Sequence, residues 1–300
     1  MSMNIGYIGL GSMGGALARR LQLTHPLRVY DVNPAAVAGL VQAGATACAS
    51  LAELAAACDV ILLCLPTSDH VRAAVFGPDG LTSALQPGTL LVDQTTGDPK
   101  ATQAMAAELA QRGVALIDAP VSGGVAGAAA GTIAIMLGAG GQEQARIAPV
   151  LAAISPNVFH AGGVGAGQVM KLVNNLVSGV QRLLSLEGLA LAAKNGIAPQ
   201  RACEILLAGG ARNAFLEKLA PQVLKGNLNV NFTLGLMHKD MRLACDLGAG
   251  SGVPLFFANL AREVYQMCIS EMGAGAQVQT AALVMDRLAG TQVVPPDGVK

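Results

Sequence analysis

The chain has no tryptophan, three tyrosines and six phenylalanines in 300 residues. So few rings argue against stacking surfaces for single-stranded nucleic acid. Charge is also scarce, at 13% of residues, and it balances: 19 Lys+Arg against 19 Asp+Glu. There is no basic stripe for DNA or RNA and no basic amphipathic segment for a membrane surface. No apolar run approaches the ~18 residues of a membrane span. The N-terminus lacks the basic region of a secretory leader, so the expected location is cytoplasmic. The six cysteines (Cys48, Cys58, Cys64, Cys203, Cys245, Cys268) never form C-x-x-C, which fits free buried thiols in a reducing compartment. The four histidines show no metal-ligand spacing, so no metal site is expected.

What is plentiful is apolar surface and glycine. Apolar residues make up 52% of the chain, which excludes a disordered chain. The 37 glycines exceed the usual share of ~7% and call for tight turns and close backbone contacts. The length predicts about two domains. Beyond residue 165 the charge balance turns mildly positive, which suits an anionic ligand.

The first half alternates strand and helix. Asn4–Ile8, Leu27–Asp31, Asp59–Leu65, Thr89–Asp93 and Val114–Asp118 read as strands, with helices over Ser12–Leu23, Pro34–Ala43 and Pro99–Arg112 between them. Nearly all-apolar runs such as Val60–Leu65 mark strands buried on both faces of a parallel sheet. The alternation predicts a doubly wound α/β sheet. It stops near residue 160. The Gly-rich stretch Ala161–Gly167 then reads as a hinge, and a helix from about Gln168 to Asn195 opens an all-α part. Further helical segments are expected at about 199–208, 213–225, 235–250, 254–272 and 277–289. The expected architecture is α/β, a Rossmann-type doubly wound sheet over residues 1–163 followed by an all-helical domain over residues 164–300.

Four blocks carry chemistry. Gly9-Leu10-Gly11-Ser12-Met13-Gly14 is G-x-G-x-x-G between a strand and a helix. Gly9 permits the tight turn, Gly11 lets the backbone approach a pyrophosphate, and Gly14 lets helix and strand pack closely. The helix N-terminus adds free N–H groups and positive dipole. Asp31, 22 residues after Gly9, can accept both hydroxyls of a ribose and would repel a 2′-phosphate. No Lys or Arg follows in Val32-Asn33-Pro34, so NAD is expected over NADP. The second block, Asp118-Ala-Pro-Val-Ser122-Gly123-Gly124, ends a strand. Its hydroxyl and successive N–H groups can cradle a carboxylate, or form an ordinary glycine turn.

In the third block Lys171, Asn174, Asn175 and Ser178 share one face of the long helix. Among Val169, Met170, Leu172, Val173, Leu176 and Val177 they are either a solvated stripe or a costly buried one. Burial would push the lysine toward a general acid/base. In the fourth, Met237-His238-Lys239-Asp240, Lys239 faces a ligand or pairs with Asp240 at the surface. Arg212 could meet a second acidic group of a substrate.

These blocks, with Gly167-Gln-Val-Met-Lys-Leu-Val-Asn-Asn175 and His238-Lys-Asp-Met241 in full, resemble the β-hydroxyacid dehydrogenase family, the group that includes 3-hydroxyisobutyrate dehydrogenase and tartronate semialdehyde reductase. The resemblance spans about residues 3–290. It implies a Rossmann domain, a helical domain and an active site in the cleft between them. It also implies Lys171 as catalytic acid/base, Asn175 and Asn174 as substrate-placing residues, and Ser122, Gly123 and Gly124 as the carboxylate cradle. Pro66, Thr96 and Lys239 would lie near the cofactor. The family often has Ser-Thr where this chain has Thr95-Thr96, which leaves Thr96 usable. Homodimers or homotetramers are implied.

The implied activity is NAD-dependent hydride transfer from a small 3-hydroxy acid of the 3-hydroxyisobutyrate kind. The alternatives are an NAD(P)H-dependent reductase of tartronate or succinate semialdehyde or of glyoxylate, and a non-catalytic dinucleotide-binding module. A decarboxylating sugar-acid dehydrogenase would need a larger helical domain. The expected partner is a small carboxylate-bearing alcohol or semialdehyde, with no nucleic acid and no membrane.

Overall fold

The computed structural model describes residues 3–296. They form two compact units, one running to Lys171 and one beginning at Leu172. The first contains β1 (Ile5–Ile8), α1 (Ser12–Gln22), β2 (Leu27–Tyr30), α2 (Pro34–Val41), β3 (Thr46–Ala47), α3 (Leu51–Ala57), β4 (Val60–Leu63), α4 (Ser68–Phe76), β5 (Leu90–Asp93) and α5 (Pro99–Ala110). These are followed by β6 (Ala115–Asp118), β7 (Val121–Ser122), α6 (Gly124–Ala130), β8 (Ala134–Gly138), α7 (Gly141–Ile154), β9 (Val158–Gly162) and the opening of α8 (Ala166–Lys194).

Six strands lie in the order β3-β2-β1-β4-β5-β6, all parallel. This is the Rossmann order. Every residue of β1, β4 and β5 is buried, because helices cover both faces. Val60 and Leu62 belong to one core with Tyr7, Leu17 and Val92, whereas Ile61 and Leu63 belong to another with Ile8, Leu54 and Leu91. Successive side chains of a strand point to opposite faces, so one four-residue strand feeds two cores. The registers Ile8–Leu63, Leu63–Asp93 and Asp93–Asp118 bring the carboxyl ends of β1, β4, β5 and β6 to one level.

Beyond β6 the sheet changes direction. β8 runs antiparallel to β6 and β7 and parallel to β9. The sequence pattern does not announce this extension. β7 has two residues, too few to show a period, and the three middle residues of β9 are exposed.

The Gly-rich stretch expected to act as a hinge is instead pinned. Gly165 N–H donates to Asp118 Oδ1 at 2.6 Å. A Cβ on Gly167 would collide with the Met136 carbonyl oxygen and approach Asp118 Oδ2 at 2.8 Å.

The second unit is built from the rest of α8 with α9 (Pro199–Ala208), α10 (Ala214–Lys218), α11 (Ala220–Val223), α12 (Leu234–Ser251), α13 (Phe256–Met272) and α14 (Ala281–Ala289). The single helix expected over 213–225 is two short ones, α10 and α11, with a proline in the first turn of α11. Leu183, Leu186 and Leu189 of α8 pack in one core with Met237, Met241, Ala261 and Tyr265. No uninterrupted apolar run in α8 approaches ~18 residues, because Gln168, Lys171, Asn174, Asn175, Gln181, Arg182 and Glu187 break it, although the helix as a whole is long and apolar enough to cross a bilayer by length and composition alone. It also supplies buried leucines to the helical core and carries Lys171, Asn175 and Arg182 buried along its length, as the core helix of a globular unit does.

Candidate active site

The glycine turn joins β1 to α1. Gly9 has φ +87°, and a Cβ there would strike the carbonyl oxygen of Cys64 at the end of β4. A Cβ on Gly14 would collide with the Gly9 carbonyl oxygen. Gly11 differs: nothing lies within 4 Å of the place its Cβ would occupy. Gly9 and Gly14 are therefore demanded by the fold, and Gly11 is not. α1 begins at Gly11 with no side-chain cap and no acidic residue in its first turn. Its leading N–H groups are thus left for an anion, whereas α2 and α5 are capped by Asn33 and Asp98. Asp31, just beyond β2, is brought to this turn. Its Oδ2 accepts the Leu10 N–H at 2.6 Å and its Oδ1 the Asn33 N–H at 2.7 Å. An open glycine face, an uncapped helix start with Ser12 and Met13 in its first turn, and a carboxylate beside them fit a dinucleotide's pyrophosphate and ribose.

Pro66 follows β4 and Thr96 follows β5, at the same sheet edge. These turns are tied together. Thr95 Oγ1 accepts the Leu65 N–H at 2.9 Å, and Asp93 Oδ1 accepts the Thr95 N–H at 2.9 Å. Two titratable groups beside them are held in their protonated forms, so neither is poised as a proton acceptor. Burial holds the Tyr7 hydroxyl well above its ordinary value, and it donates to Gln94 Oε1 at 2.7 Å. Burial, with the nearby Asp93 charge adding to it, pushes the Cys64 thiol up to about 12, while the Lys171 ammonium pulls the other way. Lys171 therefore stands within electrostatic reach of the carboxyl end of β4.

Ser122 ends β7, and Gly123 and Gly124 open α6 with φ of +142° and +70°, values that side chains rarely adopt. α6 also lacks a side-chain cap. Asp118, at the end of β6, is fully buried and holds the start of α8 through the Gly165 and Gln168 N–H groups. Burial raises its carboxyl, and those N–H donors hold it back.

On α8 half of the polar stripe is buried: Lys171 is 9% and Asn175 6% exposed, while Asn174 and Ser178 are half-buried. Asn174 Nδ2 donates to Asn175 Oδ1 at 3.0 Å, and Asn175 Nδ2 donates to Asp240 Oδ2 at 2.6 Å. Lys239 pairs with the other oxygen of Asp240 at 3.1 Å. Of the two readings left open for Lys239, a ligand contact and a surface pair with Asp240, the pair forms but not at the surface, because Asp240 is 1% exposed. The sequence reading missed Asp240 as the hub of this network and missed Gln168 altogether. Both sit inside the quoted blocks, which was the only available signal. Arg212, considered as a substrate contact, is exposed and paired with Glu217 at 2.5 Å. Among the described residues no group of three or more His, Cys, Asp or Glu gathers as a metal site would require.

Two family models match, together spanning nearly the whole chain: the NAD binding domain of 6-phosphogluconate dehydrogenase over residues 4–163, and the NAD-binding domain of NADP-dependent 3-hydroxyisobutyrate dehydrogenase over residues 165–285. The chain is 37% identical over 296 residues to 2-(hydroxymethyl)glutarate dehydrogenase of Eubacterium barkeri, covering 97% of this chain and 98% of that one. It is 37% identical over 249 residues to 3-hydroxyisobutyrate dehydrogenase of Pseudomonas aeruginosa, covering 80% and 84%. The chain belongs to the β-hydroxyacid dehydrogenase family.

The solved structure of Mycobacterium tuberculosis 3-hydroxyisobutyrate dehydrogenase with L-serine superimposes on this β-hydroxyacid dehydrogenase with a TM-score of 0.84 at 30% identity, over 95% of this chain and 99% of that one. As a member of the family the protein is an oxidoreductase with nicotinamide-dinucleotide-binding domains, of the type that moves hydride between a hydroxy acid and the nicotinamide.

Proposed function

We propose that this β-hydroxyacid dehydrogenase oxidises a small 3-hydroxy acid of the 3-hydroxyisobutyrate kind with NAD, using Lys171 as the proton carrier, and that the same residues serve the reverse reduction of a semialdehyde. The observation that carries the reading is Lys171: a nearly buried amine on α8, within electrostatic reach of the strand end beside the glycine turn. A bound nicotinamide dinucleotide supplies the ring carbon that accepts or returns the hydride. In oxidation the Lys171 amine takes the proton of the substrate hydroxyl, and in reduction its ammonium returns that proton to the developing alkoxide. The Ser122 hydroxyl and the N–H groups of Gly123 and Gly124 hold the substrate carboxylate. Asn175, one helical turn beyond Lys171 and fixed by Asp240, orients the substrate together with Asn174. Gly9 to Gly14, Asp31, Pro66, Thr96 and Lys239 serve the dinucleotide.

Residues 1–163 would then be the dinucleotide-binding domain and residues 164–300 the substrate and oligomerisation domain. We further propose a cytoplasmic homodimer or homotetramer. Val173, Val177, Leu184 and Leu191 form an exposed apolar line along α8, and Phe256, Phe257 and Leu260 are exposed on α13; contiguous exposed apolar surface of this kind suits a subunit interface.

The test is kcat/KM for 3-hydroxyisobutyrate, 3-hydroxypropionate, serine, glycerate, threonate and 2-(hydroxymethyl)glutarate with NAD and NADP. NAD should be preferred, and Asp31→Ala should lower kcat/KM with NAD about 10–100-fold, since hydrogen bonds to a charged acceptor contribute about 1.5–3 kcal/mol. The same variant should lose less with NADP. A wild-type preference for NADP would refute the role given to Asp31.

A further inference from the structure

We infer that Gln168 positions Lys171, by clamping the first turn of α8 to the loops that follow β4 and β5; this rests on the acid/base role proposed above. Gln168 is fully buried. Its Nε2 donates to the Thr95 carbonyl at 2.7 Å, and its Oε1 accepts the Gly97 N–H at 2.9 Å. The side-chain amide thus spans Thr96, using one end on each flanking residue. Through the Thr95 hydroxyl, which accepts the Leu65 N–H, the clamp extends to the turn carrying Pro66. The backbone N–H of Gln168 donates to Asp118 Oδ2 at 2.7 Å, and Gly165, three residues earlier, donates to Oδ1. One residue therefore joins the carboxyl ends of β4, β5 and β6 to the start of a helix.

Lys171 lies three positions further, on the same face of that helix. An amide whose two ends are both satisfied in a dry site has one orientation, because turning it over sets donor against donor and acceptor against acceptor. The Gln168 contacts thus fix the depth and rotation of the helical turn from which the lysine reaches out. Proton transfer is steeply sensitive to such placement. A misplacement of about 1 Å can cost about 100-fold in rate. Gln168 touches no reacting atom in this scheme and acts only through the lysine.

A double-mutant cycle tests this on the full-length enzyme, with Gln168→Met, Lys171→Met and both together. Turnover is followed by single-turnover absorbance at 340 nm, and dinucleotide affinity by titration. Methionine keeps the volume of glutamine and removes both hydrogen bonds. Gln168→Met is expected to lower kcat about 10–100-fold, with dinucleotide Kd and substrate KM changed less than about fivefold. The double variant should be no slower than Lys171→Met, because a positioning residue has nothing left to position.

Independent, multiplying losses would overturn the inference, and so would an unchanged kcat in Gln168→Met. Should Gln168→Met fail to fold, Gln168→Glu runs the same cycle. It keeps the acceptor for Gly97 and loses the donor to Thr95. Its kcat should fall while the double variant with Lys171→Met again adds nothing; an unchanged kcat or an additive loss overturns the inference. A near-normal kcat in Lys171→Met removes both the acid/base reading and the clamp. A collapse there beside a normal Gln168 variant removes the clamp alone.

Discussion

Replacing Lys171 by methionine should lower kcat by about 10²- to 10⁴-fold, the usual contribution of a positioned general acid/base, equivalent to about 3–5 kcal/mol of transition-state stabilisation. The substitution keeps an unbranched chain in a position that is 9% exposed, so the helix and its packing should survive. The glycine turn and Asp31 are untouched, so dinucleotide Kd should stay within about threefold. Oxidation needs the neutral amine. The wild-type rate should therefore rise with pH along a one-proton limb, and that limb should vanish in Lys171→Met. Steady-state kinetics across pH with a parallel dinucleotide titration reads all of this. A variant with near-normal kcat and an unchanged limb would mean that another group carries the proton. Neither Tyr7 nor Cys64 is poised to take it as a base, because burial favours the protonated form of both.

The second large effect separates two glycines that the motif treats alike. Gly14→Ala forces a methyl into the Gly9 carbonyl oxygen. Backbone cannot swing aside as a flexible side chain does, so we expect a loss of about 2–3 kcal/mol, a Tm lower by about 5 °C or more, and failed dinucleotide binding as a consequence. Gly11→Ala places its methyl in open space. The fold should not respond, and Tm should stay within about 1 °C. The methyl would stand where the pyrophosphate approaches, so dinucleotide Kd should rise about 10–100-fold, or about 1.4–2.7 kcal/mol. Thermal melts and titrations of both variants make the comparison. Equal affinity for wild type and Gly11→Ala would show that the ligand does not cross this turn.

These contrasts mark how far local pattern carries. G-x-G-x-x-G after a short buried strand, Asp31 at the next strand end and the alternation of apolar runs with helices are all written within windows of a few residues, and the parallel sheet follows from them. β3 and β7, of two residues each, have no period to read. β9 is exposed at Phe159, His160 and Ala161, so it shows neither the buried run nor the alternation that marks a strand.

The pinning of the glycine-rich stretch was equally hidden. It depends on Asp118, about 50 residues away, whose carboxylate takes the place of solvent for the N–H groups at the start of α8. The same distance in sequence concealed Asp240, 65 residues from Asn175, and Gln168, more than 70 residues from the two backbone groups it joins. Contacts between groups 47 to 73 residues apart in the chain leave no local signature. The polar residues in the four blocks could be picked out from the sequence, but their partners could not.

The central claim, that this chain moves hydride between a hydroxy acid and a nicotinamide, is tested most directly by isotope transfer. The preferred acid, deuterated at its hydroxyl-bearing carbon, is incubated with the enzyme and NAD, and the reduced dinucleotide is weighed by mass spectrometry. Each reduced dinucleotide should carry one deuterium taken from the acid. Reduced dinucleotide without the label, or a dinucleotide that binds and is never reduced by any acid of the panel, would contradict it.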